Sequence, residues 1–163
     1  MVGIPGSGKS YWITNHIDYF TGSIRIVSRD AIRFNLLGEN DSYFSKENEV
    51  FNRFIDKIKE GLEKNENVIA DATHINGNSR KKLFRALGYP LKDVEINAVV
   101  IDTCLAKCLE QNEEREGRSI VPETAIRNMF DNFSMPTLEE GFDNIYVYRK
   151  NENMITYTIM KKE

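Results

Sequence analysis

The chain has 163 residues, of which 40% are hydrophobic and 29% charged, and its formal net charge is −3. This length and composition suit one folded domain with its own core, so we expect a single domain over residues 1–163. The acidic balance argues against a large, non-specific nucleic-acid surface and leaves open a protein that binds only one end of a strand. The sequence has no apolar run of membrane-spanning length and no secretory signal, so we expect a cytoplasmic protein without membrane contact.

The first motif lies at residues 3–10, which read GIPGSGKS and fit the phosphate-binding pattern G-x-x-x-x-G-K-[ST]. Glycines allow the backbone to turn so that its N–H groups point inward at a phosphate. Lys9 then places an ammonium on the outer phosphates, and the Ser10 hydroxyl is a ligand for Mg²⁺. We therefore predict binding of ATP or another nucleoside triphosphate with Mg²⁺. The residues expected to bind this nucleotide are Gly3, Pro5, Gly6, Ser7, Gly8, Lys9 and Ser10.

The hydrophobic pattern predicts strands that alternate with helices after this loop. In chain order we expect a helix to about residue 20, a strand at 24–28, helices at 29–37 and from 45, a strand at 68–71, a helix at 78–87, a strand at 94–101, helices at 103–114 and from 122, and strands at 145–149 and 154–160. This order predicts an α/β fold of the P-loop NTPase type, a parallel sheet with helices on both faces. The last two strands predict a C-terminal β-hairpin.

A carboxylate and a guanidinium follow the strand at 24–28, where residues 28–33 read SRDAIR. Ligands of α/β proteins bind at the carboxyl ends of parallel strands, so Asp30 is placed to accept the proton of an attacking hydroxyl. Arg33 shares a helix face with Asp30 and can hold a phosphate of the acceptor with two N–H groups. The same spacing also fits an ion pair at a helix start that has no function.

A second carboxylate, Asp71, ends the strand at 68–71 and precedes Ala72, Thr73 and His74. This position resembles the Walker B position, in which a carboxylate orders Mg²⁺ directly or through water. The alternative is that Asp71 caps a helix.

Basic residues are grouped in two further segments. Residues 115–122 read REGRSIVP, and Arg115 and Arg118 fit either a lid that neutralises charge on a transferring phosphate or a solvated basic turn. The helix at 78–87 carries Arg80, Lys81, Lys82 and Arg85. They fit either a basic rim for a nucleic acid or a solvated face.

Taken in this order, the motifs resemble those of the 5′-polynucleotide kinase family, the kinase modules of phage and bacterial end-healing enzymes. The family's loop, its R-D-x-x-R, its D-[AT]-[TN] and its arginine lid before Val-Pro stand here at residues 3–10, 29–33, 71–73 and 115–122. The resemblance covers about residues 1–135, and residues 141–163 lie outside it as an added hairpin.

The resemblance implies ATP-dependent transfer of a phosphoryl group to the 5′-hydroxyl end of RNA or DNA, in a bacterial or phage-infected cell. It implies catalytic roles for Asp30 as general base and for Lys9, Arg115 and Arg118 on the triphosphate. Arg33, Asp71, Thr73 and His74 are the expected substrate-binding residues, and Ser10 and Asp71 the expected metal ligands. No phosphatase or ligase module follows, so we expect any repair partner to be a separate protein.

The chain departs from the family at two places. Gln111-Asn112 stands where many relatives have Arg-Asn before the lid, and His74 replaces an asparagine after Asp-Ala-Thr. Two other functions stay open: a small-molecule or zeta-toxin-like P-loop kinase, and an AAA-like ATP-binding module that works by conformational change.

Overall fold

The computed structural model describes the backbone at residues 1–151 and 154–161, and the side chains there except at 118, 150, 151 and 154–157. The chain divides into a larger unit, Met1–Lys9 with Thr73–Glu163, and a smaller unit, Ser10–Ala72. In chain order the elements are α1 (Lys9–His16), β1 (Ile24–Ser28), α2 (Arg29–Leu36), α3 (Glu47–Glu63), β2 (Asn67–Asp71), α4 (Gly77–Leu87), β3 (Asn97–Asp102), α5 (Leu105–Glu113), α6 (Glu123–Asp131), β4 (Asn144–Asn151) and β5 (Met154–Lys161). No helix in the described ranges is long and apolar enough to span a bilayer.

The smaller unit contains a two-stranded parallel sheet, β1 beside β2. Helix α3 packs against both strands and against α2. Its apolar stripe, at helical spacing, is buried at Phe54, Ile55 and Ile58. Helix and sheet approach closely at Gly61, where a Cβ would lie 2.7 Å from a methyl carbon of Val68.

The larger unit contains a three-stranded sheet in the order β3-β4-β5. Strands β3 and β4 are parallel, and β4 and β5 form the antiparallel arms of the predicted C-terminal hairpin. Residues 152–153 of the predicted turn lie outside the described residues. Val2 adds a single parallel bridge beside Val100, in which its N–H donates to the Val99 carbonyl at 2.7 Å.

The α/β prediction is confirmed in its strands, helices and parallel pairs, and the strands form two sheets, one in each unit. The predicted end of α4 is confirmed at Gly88, whose φ is +85°. The helix begins at Gly77, one residue before the predicted 78, after a capping box of Asn76 and Ser79. Strand β3 begins three residues later than the predicted 94, because the Ile96 N–H donates to the Asp143 carboxylate at 2.7 Å instead of to a neighbouring strand.

The predicted basic group on α4 needs one correction, at Arg80. Its side chain is 1% exposed and forms an ion pair with Glu140 at 2.6 Å. The same guanidinium donates to the carbonyls of His74 and Ser134 at 3.0 and 2.9 Å. Arg80 therefore belongs to the core of the larger unit, since a buried guanidinium needs a carboxylate and several acceptors. The exposed basic residues of this helix are Lys81, Lys82 and Arg85.

Candidate active site

The phosphate loop, residues 3–10, follows Val2 with a backbone that favours glycine. The φ angle is +78° at Gly6 and +99° at Gly8, which lie in the left-handed region. A Cβ at Gly6 would lie 2.1 Å from the carbonyl oxygen of Cys108, whereas a Cβ at Gly8 would meet nothing within 4 Å. Gly6 is thus packed against α5, while Gly8 leaves space beside the loop.

Polar groups inside the loop fit an anionic ligand. The Lys9 ammonium donates to the carbonyls of Gly3 and Ile4 at 2.8 and 2.9 Å. The Ser7 hydroxyl is buried and has no hydrogen-bond partner within the described ranges. Because a buried hydroxyl without a partner is costly, a phosphate oxygen beside it is a favourable ligand. We conclude that these residues fit the phosphates of a nucleotide.

Helix α5 and the residue before it pack against this loop. The Thr103 hydroxyl, just before the helix, donates to the Ser7 carbonyl at 2.8 Å. Cys108 is fully buried, and its thiol donates to the Thr103 carbonyl at 3.5 Å. Burial raises the pKa of the Cys108 thiol to about 11, so this thiol is neutral near pH 7 and serves in packing.

The smaller unit places two predicted carboxylates at one edge of its sheet. Ser28 ends β1 opposite Asp71 at the end of β2. The Ser28 hydroxyl accepts a hydrogen bond from the Ala31 N–H at 3.3 Å and caps α2, whose second residue is Asp30. The carboxyl edge of the sheet, where α/β proteins bind ligands, therefore carries Asp71 and Asp30.

Asp30 is held by two donors on one of its oxygens. Arg33 Nη1 and the Tyr43 hydroxyl both donate to Asp30 Oδ1, the latter at 2.8 Å. Half of the Asp30 side chain is exposed (51%), whereas the Arg33 side chain is 6% exposed. Within the described part of the chain, Asp30 Oδ2 receives no hydrogen bond. Protein donors therefore hold one oxygen of this half-exposed carboxylate and leave the other for a reactant.

Arg33 is itself held by a second carboxylate. Its Nη2 donates to Glu47 Oε2 at 2.8 Å, and Arg29 binds the other oxygen of Glu47. Burial lowers the pKa of Arg33, but the hydrogen bond to Glu47 and the charges around it more than offset this, and the pKa lies above its usual value. Arg33 is therefore a permanent cation that orients Asp30. Its contact with an acceptor phosphate stays a prediction, since both of its Nη atoms already bind protein groups.

No motif in the sequence pointed to Tyr43 or Glu47. Tyr43 lies ten residues after Arg33 in an irregular segment, where no helical or strand period relates the two. Glu47 lies in the first turn of α3, where an acidic residue is expected for the helix dipole alone.

Thr73 and His74 lie in the larger unit, beside the start of the phosphate loop. The Thr73 carbonyl accepts a hydrogen bond from the Gly3 N–H at 2.9 Å. The His74 side chain is 7% exposed, and its Nδ1 donates to the Met1 carbonyl at 2.9 Å. Both residues therefore hold the backbone on either side of Val2, and their contact with an acceptor stays a prediction.

The arginine segment, residues 115–122, is bound near its end to Asn112 of α5 through Val121. The Asn112 amide donates to the Val121 carbonyl at 2.9 Å and accepts from the Val121 N–H at 3.0 Å. Asn112 is 4% exposed, so these two bonds are shielded from water. In the sequence Asn112 is notable only because Gln111-Asn112 departs from a family pattern. In the structure its side chain joins α5 to Val121 through these two hydrogen bonds, which we call the Asn112 clasp.

Within this segment the chain forms a short 3-10 turn at Gly117–Ser119. Arg115 Nη1 donates to the Ser119 carbonyl at 3.3 Å. The Arg118 side chain lies outside the described residues.

The predicted metal ligands, Ser10 and Asp71, both lie in the smaller unit. Ser10 is exposed in the first turn of α1, and Asp71 is partly buried at the end of β2. Hydroxyl and carboxylate oxygens are the donors that Mg²⁺ prefers. The described residues contain no group of three or more His, Cys, Asp or Glu that could hold a metal alone. By their donor chemistry Ser10 and Asp71 would be the residues to hold Mg²⁺, which would neutralise charge on bound phosphates.

The α/β architecture and the glycine-lysine loop define a nucleotide-binding P-loop domain. Residues 1–136 match the protein family described as "AAA domain", and the chain belongs to that family. A P-loop domain of this kind implies binding of a nucleoside triphosphate, typically with Mg²⁺.

Proposed function

We propose that this protein transfers the γ-phosphoryl group of ATP to the 5′-hydroxyl end of a polynucleotide, RNA or DNA. The observation that carries this proposal is the state of Asp30, a half-exposed carboxylate whose Oδ1 is held by Arg33 and Tyr43. A general base must be oriented and accessible, and Asp30 satisfies both conditions. A nucleotide-driven conformational switch has no need of such a group.

The donor nucleotide is bound by the phosphate loop in this proposal. The Lys9 ammonium and the backbone N–H groups of the loop hold the phosphates, and Arg115 and Arg118 neutralise charge on the transferring group. Mg²⁺, held by Ser10 and Asp71 when bound, supplies further charge neutralisation on the phosphates.

The reaction is one displacement at phosphorus. The acceptor oxygen forms a bond to the γ-phosphorus while the bond to the β–γ bridging oxygen breaks, and ADP is released. The proton of the acceptor hydroxyl moves to Asp30. Lys9 stabilises the charge that develops on the leaving group.

A polynucleotide acceptor is supported by the order of the four motifs along the chain, which is that of the 5′-polynucleotide kinases. Arg33, Thr73 and His74 are the residues proposed to contact the acceptor strand. A separate ligase or phosphatase is the proposed partner in end repair.

A small-molecule hydroxyl is the second candidate acceptor. Arg80 is buried in an ion pair with Glu140, so the proposed basic rim has one cation fewer. In addition, the formal net charge of the chain is −3. Both features weaken the attraction for a nucleic-acid backbone. Membership of the AAA domain family also keeps ATP hydrolysis without an acceptor as a third outcome.

The acceptor is identified by incubating the protein with Mg²⁺ and ATP labelled on the γ-phosphate. Matched oligonucleotides with a 5′-hydroxyl or a 5′-phosphate, as RNA and as DNA, are supplied together with a panel of nucleosides and sugars. We expect label only on oligonucleotides that have a 5′-hydroxyl. Label on a small molecule would establish the second candidate, and label released only as inorganic phosphate would contradict both kinase functions.

A further inference from the structure

The segment between α2 and α3 adds a group to the Asp30 site. Tyr43 lies in this segment, and its hydroxyl donates to Asp30 Oδ1 at 2.8 Å while it accepts from Arg33 Nη1 at 3.2 Å. The three polar groups form a closed triangle in which each contacts the other two. Asp30 Oδ1 is therefore fixed from two directions.

The aromatic ring of Tyr43 also makes contacts, in addition to the hydrogen bonds of its hydroxyl. The Arg33 guanidinium carbon lies 4.5 Å from the ring centroid, a cation–π contact. The ring also meets Phe34 and Phe44 edge-on, with centroids 6.1 and 4.7 Å apart. These contacts restrict the ring, so the hydroxyl direction is set by packing rather than by the hydrogen bond alone.

The hydrogen bonds of the triangle make the two oxygens of Asp30 differ in their ability to accept a proton. A carboxylate oxygen that already accepts two hydrogen bonds is a poor proton acceptor, because its lone pairs are engaged. Oδ2 receives no hydrogen bond within the described ranges and belongs to a half-exposed side chain. Its lone pairs are available to a reacting hydroxyl.

We propose that Tyr43 is a positioning residue that, with Arg33, anchors Asp30 Oδ1 so that Oδ2 accepts the proton of the acceptor hydroxyl. This inference rests on the proposed kinase function. It assigns the segment between α2 and α3 a part in the reaction.

The test compares Tyr43→Phe with the wild-type protein in the phosphoryl-transfer assay. The phenylalanine ring keeps the contact with Arg33 and removes only the hydroxyl. We expect kcat to fall about tenfold, the size of one lost hydrogen bond to a charged group, with KM for ATP unchanged. Tyr19→Phe, at a side chain that is 80% exposed, is the matched control and should keep wild-type kcat.

The stoichiometry of ATP binding separates positioning from a simple loss of folded protein. A loss of positioning lowers kcat while each chain still binds ATP, whereas partial unfolding lowers kcat and the fraction of chains that bind ATP by the same factor. Calorimetric titration of Tyr43→Phe with ATP should therefore give the wild-type stoichiometry.

The outcomes distinguish this inference from the function on which it rests. An active wild-type protein with a Tyr43→Phe variant of equal kcat and equal ATP-binding stoichiometry overturns the role of Tyr43 alone. In that case Tyr43→Leu, which also removes the ring, should still lose activity, because it disturbs the packing around Arg33. A wild-type protein that labels no acceptor overturns the proposed function and this inference together.

Discussion

Gly6 shows how one residue couples the phosphate loop to the helix beneath it. Its φ of +78° is costly for any residue with a side chain, and the Cys108 carbonyl oxygen lies 2.1 Å from where a Cβ would be. Because backbone atoms of a helix cannot move aside as a side chain can, the loop or the helix has to shift. The position of the loop's N–H groups therefore depends on the absence of a single methyl group.

We expect Gly6→Ala to lower the free energy of unfolding by about 2–4 kcal/mol, from overpacking and backbone strain together. ATP affinity should fall at least about tenfold, since the displaced N–H groups no longer converge on the phosphates. Urea unfolding and calorimetric titration with ATP measure the two effects.

Gly77→Ala is the matched control, because a Cβ there meets nothing within 4 Å and the residue lies in the first turn of α4. It should leave stability and ATP affinity unchanged. Equal behaviour of the two variants would show that Gly6 has no special role in the loop.

At the scale of elements, α5 connects two parts of the larger unit. Its N-terminal half contacts the phosphate loop through Cys108, and its last turn holds Val121 through the Asn112 clasp. Most of the arginine segment therefore lies in a loop that the Asn112–Val121 hydrogen bonds close. We expect this arrangement to limit the positions that Arg115 can occupy.

We expect Asn112→Ala to lower the free energy of unfolding by about 2–4 kcal/mol, because the buried N–H and C=O of Val121 both lose their partner. Trypsin should cleave after Arg115 several times faster than in the wild-type protein, since the freed segment opens locally without global unfolding. Phosphoryl transfer should fall more than ATP affinity does. The cleavage rate is followed by mass spectrometry of the nicked chain.

Asn78→Ala, at an exposed position of α4, is the control for removing an asparagine side chain. Its cleavage rate should equal that of the wild-type protein. Cleavage after Arg115 that stays equally slow in Asn112→Ala would mean that the clasp does not restrain the segment.

At the scale of the whole molecule, local signals in the sequence predict most helices and strands. The apolar pattern at 24–28 matches β1 residue for residue, and Gly88 ends α4 where its conformational freedom predicts. The contact between Asp30 and Arg33 also follows from a local rule, the i,i+3 spacing on a helix.

The features that the sequence did not reveal depend on contacts between distant residues. Arg80 looks like a surface cation until Glu140, sixty positions away, is seen beside it. Asn112 and Val121, or Arg33 and Glu47, are likewise joined only when the chain folds. No periodicity relates such pairs, so a single sequence cannot predict them. The sequence therefore indicated Asp30 and Arg33 as candidates, but not Tyr43 or Glu47, which contact them from other segments.

Asp30 is proposed to act on the acceptor hydroxyl and not on the nucleotide, and Asp30→Asn tests this role most directly. The amide has the same shape as the carboxylate but is no proton acceptor at neutral pH, so phosphoryl transfer should be lost while the nucleotide site is untouched. Asp56→Asn, at an exposed position of α3, is the matched control and should behave as the wild-type protein does.

The measurement is the rate of γ-phosphoryl transfer to a 5′-hydroxyl oligonucleotide together with the Kd for ATP, on the same preparation of Asp30→Asn. We predict a rate at least about 100-fold below that of the wild-type protein, the usual size of general-base catalysis, with a Kd changed by less than about twofold. A variant that transfers phosphate at the wild-type rate, or that loses ATP binding along with transfer, would contradict the account.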